Sequence, residues 1–473
     1  MPDAIIIGAG PNGLAAAITL ARAGHSVVVY EANETIGGGI RSAELTLPGF
    51  IHDICSTVQA LTVVSPFFKT ISLSDLGVEL TYPDAALAHP LDDGTAAVLY
   101  RSIDKTCETL GKDGTNYRRL IASLVHDSDN LNADLLGPLP LPPRHPFTFA
   151  RFALPAILPA RALAEFIFSD EHARGLFAGI AAHAMLPLEN LSTAAYGMAL
   201  GIAAHVSGWP FVKGGSQNLA NALGAYLKSL GGEIITNHRV ESIDELPEAR
   251  AFLFDVTPKQ LIKIAGKRLP DGYRRALEKF RYGPGIFKID FALDGPIPWK
   301  AEECKLAGTV HMGGTLAEVA QSERETAEGK PPEKPYVLVV QQTLFDKTRA
   351  PDGKHTVWAY CHVPNSSKFD MTERMLAQFE RFAPGFCDRI IAQHVMTPAW
   401  AESHNANYIG GDINSGAGDL WQLYTRPTWS LTPYRTAAKG IYICSSSTPP
   451  GGGVHGMSGY HAACVALRDM KAR

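Results

Sequence analysis

Gly8-Ala9-Gly10-Pro11-Asn12-Gly13 is a G-x-G-x-x-G turn, and an acid, Glu31, follows it about 20 residues later. Each position has a chemical use. Gly8 permits a tight turn, Gly10 removes a side chain where a pyrophosphate would meet the backbone, and Gly13 lets a helix lie close to a strand. A helix starting at Pro11 and Asn12 turns its free N–H groups and positive dipole end on phosphates. Glu31, with Ala32 after it, can accept both hydroxyls of an adenosine ribose, which implies a free 2′-OH. Glycine-rich turns are common, so the motif counts only where a strand precedes it and a helix follows.

Gly37-Gly38-Gly39, followed by Arg41-Ser42, offers bare backbone and a cation just past the acid. That suits a second pass along a pyrophosphate and ribityl chain, which points to FAD rather than NAD. A second glycine-dense stretch runs from Ser445-Ser446 through Pro449-Pro450-Gly451-Gly452-Gly453-Val454-His455-Gly456-Met457. Its expected use is to let a ligand lie against the backbone, with the helix after Met457 aimed at a flavin N1–C2=O edge. Lys288 sits in an otherwise apolar run, where a lysine is costly unless solvated or paired, and Asp290 on the same strand face is the ready partner. His311, His362, His455 and His461 are further candidates, His455 first because it lies in the glycine loop. Trp209, Phe211, Tyr424 and Trp429 could wall an apolar site or belong to the core. No Ser/His/Asp order, metal-spaced His/Cys set or paired-carboxylate motif is present.

The elements that must position these groups follow from the flanking residues. Ala4-Ile5-Ile6-Ile7 predicts a buried strand, Leu14 to Ala23 an alanine-rich helix ended by Gly24, and Ser26 to Tyr30 a second strand. Val78-Glu79-Leu80 and Ala96 to Tyr100 flank Asp92-Asp93-Gly94 as a hairpin. Residues 104–205 read as helical, broken by Pro138, Pro140, Pro142, Pro143 and Pro146. A helix is predicted over Gln217 to Leu230, with strands at Glu233–Thr236, Val240–Ile243 and Ala251–Phe254. Further strands at Phe287–Leu293, Tyr336–Gln342 and Thr356–His362 predict an antiparallel sheet over the flavin, with a helix at Thr372–Phe382. Ile441 to Cys444 is the last strand and Ser458 to Lys471 the last helix.

A 473-residue chain exceeds one simple core, so two domains are expected. A net charge of −4 without a basic block predicts no nucleic-acid partner. The seven cysteines contain no C-x-x-C pair, which argues against zinc or a secreted disulfide framework and fits a cytoplasmic protein. The first strand begins within a few residues of Met1, so no signal or transit peptide is expected. No apolar run reaches the ~20 residues that span a bilayer. Pro146 to Phe168 comes nearest; it reads as a buried helix-turn-helix, the alternatives being a membrane-surface contact through 138–168 or the wall of a greasy tunnel.

With both ends read, the chain resembles the flavoprotein superfamily of flavin amine oxidases and carotenoid desaturases, and within it the phytoene-dehydrogenase-related branch. The matching segments are Gly8 to Gly13, Glu31, Gly37-Gly38, Pro48-Gly49-Phe50 with Asp53, Gly214-Gly215-Ser216, Val240 and Tyr282 to Asp290. They continue through His311 to Gly314, Arg349-Ala350-Pro351, His362-Val363-Pro364 and Pro449 to Gly456. The resemblance implies FAD held by Gly8, Gly10, Gly13, Glu31, Gly38 and Arg41, with Val240 near the adenine and Gly456 and Met457 near the isoalloxazine. Two positions depart from it. Relatives commonly carry arginine where Gly39 stands, and many carry glycine and an acid where Ser445 and Ser446 stand. In flavin amine oxidases a lysine on the strand matching Lys288 holds a water near N5.

These readings together predict an α/β protein. A discontinuous Rossmann-like FAD-binding domain is expected at 1–77, 206–279 and 406–473, with an α+β substrate domain at 78–205 and 280–405. The expected activity is removal of a hydride from a C–H bond of an apolar or amphipathic small molecule, with electrons passed to oxygen or a quinone. An amine oxidase, a redox-neutral isomerase and a non-catalytic FAD-binding partner protein are the alternatives.

Overall fold

A computed structural model describes residues 1–138 and 142–471, so Pro140 lies outside the described residues. Two sheets carry the chain. The first has five parallel strands in the order Ile441–Ile443, Ala251–Phe254, Ala4–Ile7, Val27–Tyr30 and Glu233–Ile235. Their Ile, Val and Phe side chains are largely buried, as parallel strands covered on both faces require. The strand at Ala4–Ile7 ends in Gly8 at φ +101°, a conformation that only glycine adopts without strain, and the helix Pro11–Arg22 follows. A Cβ on Gly13 would come within 2.0 Å of the Gly8 carbonyl oxygen, so the helix can sit this close to the turn only with glycine there. The last helix, Met457–Lys471, packs on the first through Gly459, where a Cβ would lie 1.8 Å from the Asn12 carbonyl oxygen.

The strand expected at Val240–Ile243 does not form. After Glu233–Ile235 the chain turns at Asn237, and the N–H groups of Asn237 and His238 bond to the carbonyls of Asn33 and Glu31. Those two N–H groups tie the chain to the loop after Val27–Tyr30, and the stretch from Val240 runs into a 3-10 turn at Ile243–Glu245, where the Ser242 hydroxyl accepts the Asp244 N–H at 3.2 Å.

The second sheet has seven strands: Ile390–Met396, Gly285–Leu293, His355–Val363, Val337–Val340, Ala307–Met312, Ala85–Pro90 and Ala96–Leu99. It is mixed rather than wholly antiparallel, because Ala307–Met312 runs parallel to Ala85–Pro90. The hairpin around Asp92-Asp93-Gly94 forms, but its first strand is Ala85–Pro90. That strand contains no β-branched residue, so propensity passed over it. The Val78–Leu80 stretch instead leads into Leu80–Thr81, which pairs with Phe211–Val212.

The middle of the chain is helical as expected, from Ile103–Thr109 to Thr193–Ser207. Pro146–Ala156 and Ala160–Ile167 form a bent pair at 94°. The pair is not buried as a whole. Phe152, Ala156, Ala160 and Leu163 face the core, whereas Phe147 and Phe166 are 85% and 89% exposed. Among the described residues no single helix is long and apolar enough to cross a membrane.

One buried node bolts distant segments together. The Arg349 guanidinium donates to Asp53 Oδ2 at 2.6 Å, to Asp346 Oδ2 at 3.1 Å and to the Val212 carbonyl at 2.8 Å. Asp53 Oδ1 also accepts the Ser216 N–H at 2.8 Å, and Asp346 accepts the Gly214 N–H at 2.7 Å. Three of the motifs singled out in the sequence therefore meet in one network.

Candidate functional site

A single cavity of about 840 Å³ runs from the end of the parallel sheet to the face of the mixed sheet. Its outer end is made of backbone. Gly8, Gly10, Pro11 and Asn12 line one side, Glu31 and Ala32 a second, and Val240 a third. Glu31 is buried, accepting the Ala9 N–H through Oε2 at 2.9 Å and both the N–H and amide of Asn33 through Oε1. Three donors occupy a carboxylate with about four acceptor sites, which leaves room for one more.

Asp255, at the end of the strand Ala251–Phe254, was not singled out from the sequence. Its Oδ2 accepts the Gly13 N–H at 2.9 Å, and a Cβ on Gly10 would stand 2.7 Å from that oxygen. Burial pushes its pKa up to about 7, with the charge of Glu31 adding to the rise and the N–H groups of Gly13 and Gly10 opposing it. The proton taken up near neutrality leaves the amino end of the first helix open to an anion. An acid closing a strand beside the glycine turn was the available signal.

The middle of the cavity holds two buried arginines. Arg41 reaches only carbonyls, those of Gly38 at 3.2 Å and His404 at 3.3 Å. Among the described residues no carboxylate forms an ion pair with it. Arg426 donates to the carbonyls of Ser446 at 3.0 Å and Ala417 at 2.9 Å, and its Nε has no partner. Gly38 and Gly39 line the same stretch. A Cβ on Gly39 would lie 2.9 Å from the Tyr408 hydroxyl, so a side chain here would require that ring to shift. Gly13 and Gly37 stand behind the lining, in the turn and helix contacts that shape it.

Ser445, Ser446, Val454 and His455 line the cavity from the glycine loop. Ser446 Oγ accepts from the Asn12 amide at 3.3 Å. His455 is locked: its Nδ1 accepts the Met457 N–H at 3.0 Å, so Nε2 carries the proton and donates to the Gly451 carbonyl at 3.0 Å. Burial lowers its pKa to about 4. Both ring nitrogens are spent within the loop, and the Met457 N–H is spent with them. Gly456 and Met457 lie behind the lining, buried against Phe67 and Ala15.

Lys288 is fully buried and ion-paired to Asp290, with its ammonium 5.7 Å from the Trp358 ring centre. Burial lowers its pKa and the Asp290 charge opposes that. His52 and His394 approach Asp290 at 3.6 and 3.9 Å. Lys288 does not line the cavity; Trp358, over it, does.

The inner end is walled by His183, Trp209, Thr309, Trp358 and Tyr360, with His311 behind His183. Trp358 and Tyr360 meet edge to face at 5.0 Å. Phe211 is core, while Tyr424 and Trp429 flank the outward mouth, the latter 77% exposed. His362 is tied to Glu323 at 2.8 Å, and His461 bonds to the Leu136 carbonyl at 3.1 Å.

This arrangement can hold a long dinucleotide by backbone and two cations and present a second molecule to an aromatic chamber. A model of the NAD(P)-binding Rossmann-like domain matches residues 6–69. The mouse (Mus musculus) pyridine nucleotide-disulfide oxidoreductase domain-containing protein 2 is 26% identical over 99% of this chain and 94% of its own. The lycopene-forming phytoene desaturase of Pseudescherichia vulneris is 24% identical over the full length of both. Putrescine oxidase bound to putrescine superposes with a TM-score of 0.64 over 100% of this chain and 99% of its own, at 20% identity.

Proposed function

We propose that this chain, similar over its length to a phytoene desaturase and sharing the fold of putrescine oxidase, is an FAD-dependent dehydrogenase. It takes a hydride from a C–H bond of an apolar or amphipathic small molecule and passes the electrons to oxygen or a quinone. The observation that carries this reading is the continuity of the cavity from the Glu31 carboxylate, past unpaired Arg41, to the aromatic inner end. The residues fit the cofactor. Glu31 meets a ribose hydroxyl, Arg41 and Arg426 offset a pyrophosphate, and the backbone at Gly8, Gly10 and Gly38 leaves room for it. Bound FAD would supply the hydride acceptor. The chain binds and orients the substrate, keeps water out, and places Asp255, whose pKa burial raises to about 7, beside the phosphates. The unit at 1–77, 206–279 and 406–473 carries the cofactor, and the unit at 78–205 and 280–405 covers it.

Protein incubated with FAD and freed of excess should retain a flavin absorption spectrum. Anaerobic addition of terpenoids and lipids should bleach it, with colour returning on oxygen or a quinone. Protein that keeps no flavin overturns the reading. Trp358 and Tyr360 in the chamber favour, as a second reading, an amine oxidase. Peroxide release with polyamines and no response to terpenoids would select it. For Lys288, the Lys288→Met/Asp290→Leu double variant removes both members of a buried pair, a change often close to neutral for stability. Unchanged flavin reduction and reoxidation would exclude a role near the flavin.

The mouth of the cavity is apolar. Phe147, Leu154 and Phe166 on the bent helix pair, and Trp421, Trp429 and Leu431 from a separate segment, are all exposed. Ile157, Trp429 and Leu431 also line the cavity. A lipid surface at this rim, with 138–168 as its main contact, gives an apolar substrate a dry entry. Residues 139–141 of that stretch lie outside the described residues. Phe147→Ser/Phe166→Ser should lower co-sedimentation with phosphatidylcholine–phosphatidylglycerol vesicles while leaving flavin content unchanged.

A further inference from the structure

His183 and His311 come from segments 128 residues apart and meet through their Nε2 atoms at 3.3 Å. One nitrogen must donate and the other accept, so each ring has one tautomer, and the surroundings decide which. His311 Nδ1 is buried without a partner. It faces Gly179, where a Cβ would stand 2.9 Å away, so an α-hydrogen of Gly179 points at it. A lone pair tolerates that contact, whereas an N–H there would be an orphaned buried donor, the rarer and costlier condition. His89 shows the same choice. Its Nδ1 faces the same Gly179, and its Nε2 must carry the proton because it bonds the Gly314 carbonyl at 2.6 Å. His311 therefore keeps its proton on Nε2 and donates it to His183.

The consequence falls on the cavity. With Nε2 accepting, His183 carries its proton on Nδ1, which makes no hydrogen bond among the described residues and belongs to a ring that lines the inner end. Burial lowers the pKa of His183 to about 3, so the ring is a neutral donor and not a cation. Trp209, with its ring centre 6.1 Å from that of His183, Trp358 and Thr309 line the same end, but their unpartnered Nε1–H and hydroxyl groups are buried in the wall and do not open on the cavity. The His183 N–H is a neutral donor that wants an acceptor, and an ammonium or a bare hydrocarbon supplies none.

We propose that His183, with its tautomer set by His311, is a substrate-binding residue that holds a neutral oxygen, hydroxyl or carbonyl, at the inner end of the cavity. The substrate is then an oxygenated apolar molecule. This rests on the dehydrogenase reading for its chemistry but not for its test.

Octan-1-ol, octanal, octanoate, octylamine and octane can be titrated against the FAD-loaded protein, with binding read from flavin absorbance and from tryptophan fluorescence. The fluorescence readout also works on flavin-free protein, so a failure to hold FAD would overturn the cofactor reading and leave this one measurable. Octan-1-ol and octanal should bind at least tenfold more tightly than octane and octylamine. His183→Phe should bring all of them to within about threefold, with flavin content unchanged. Equal binding of octan-1-ol and octane by the native protein overturns the proposal, as does a preference that survives His183→Phe, tighter binding of octylamine, or tighter binding of octanoate than of octan-1-ol. If His183→Phe does not fold, ¹⁵N histidine spectra of the native protein decide. A proton on Nδ1 of His183 and on Nε2 of His311 supports the proposal, and the reverse assignment overturns it.

Discussion

Arg349 and Arg41 are both buried arginines, and their surroundings are opposite. Arg349 meets two carboxylates and a carbonyl, and those carboxylates are themselves met by backbone N–H groups. Arg41 meets two carbonyls at the long end of hydrogen-bond range and no acid among the described residues. A buried guanidinium without an anion is expensive, and proteins keep one where a ligand completes it. The complete network is a structural bolt, and the incomplete one belongs to the cofactor site proposed above. Counting what each cation lacks separates the two more sharply than counting what it touches.

The largest effect should come from the bolt. Arg349→Leu strands Asp53 and Asp346 and should cost roughly 3–5 kcal/mol in urea unfolding of the cofactor-free protein, or prevent folding altogether. A loss under about 1 kcal/mol would break the contrast. Arg41→Met should leave that stability nearly unchanged and instead weaken FAD binding by roughly 1.5–3 kcal/mol, about tenfold to a hundredfold in Kd. An equal loss of stability in both variants would make Arg41 structural too.

The smallest and most diagnostic effect belongs to Asp255. Its folded pKa of about 7 lies above its ordinary value of 3.8, so the folded state holds a proton that the unfolded state has released. The native protein should therefore lose stability relative to Asp255→Asn as pH rises from about 4 to about 7. FAD affinity should also fall as pH rises through about 7, by no more than about tenfold per pH unit, and Asp255→Asn should flatten that slope. Parallel pH profiles for the two proteins would remove Asp255 from the anion site.

The sequence was readable where structure is local. Ala4–Ile7, the glycine turn, Pro11–Arg22 and Val27–Tyr30 follow one another, and each carries its own signal of run, turn or period. Strands chosen by their neighbours were not readable. Ala85–Pro90 is a strand only because Ala307–Met312 and Ala96–Leu99 pair with it, and the chain leaves the sheet before Val240, where the Asn237 and His238 N–H groups bond the Asn33 and Glu31 carbonyls. The fate of His455 was hidden for the same reason, since its lone pair is filled by an N–H two residues away. His183 and His311 carried no spacing at all, and what makes them a pair is the place where a helical turn meets a sheet.

The contact of Gly459 with Asn12 has a bearing on synthesis. The helix Met457–Lys471 leans on the back of the glycine turn, and the strand Ile441–Ile443 closes the sheet that the turn leaves from. A ribosome makes the turn first and these two elements more than 400 residues later. During that interval the nascent chain holds a glycine loop with no wall behind it, and the strand Ala4–Ile7 waits for Ala251–Phe254 to pair with it. On the proposed reading, cofactor loading is a late event in the life of the chain, because the helix and strand that back the glycine turn are made last.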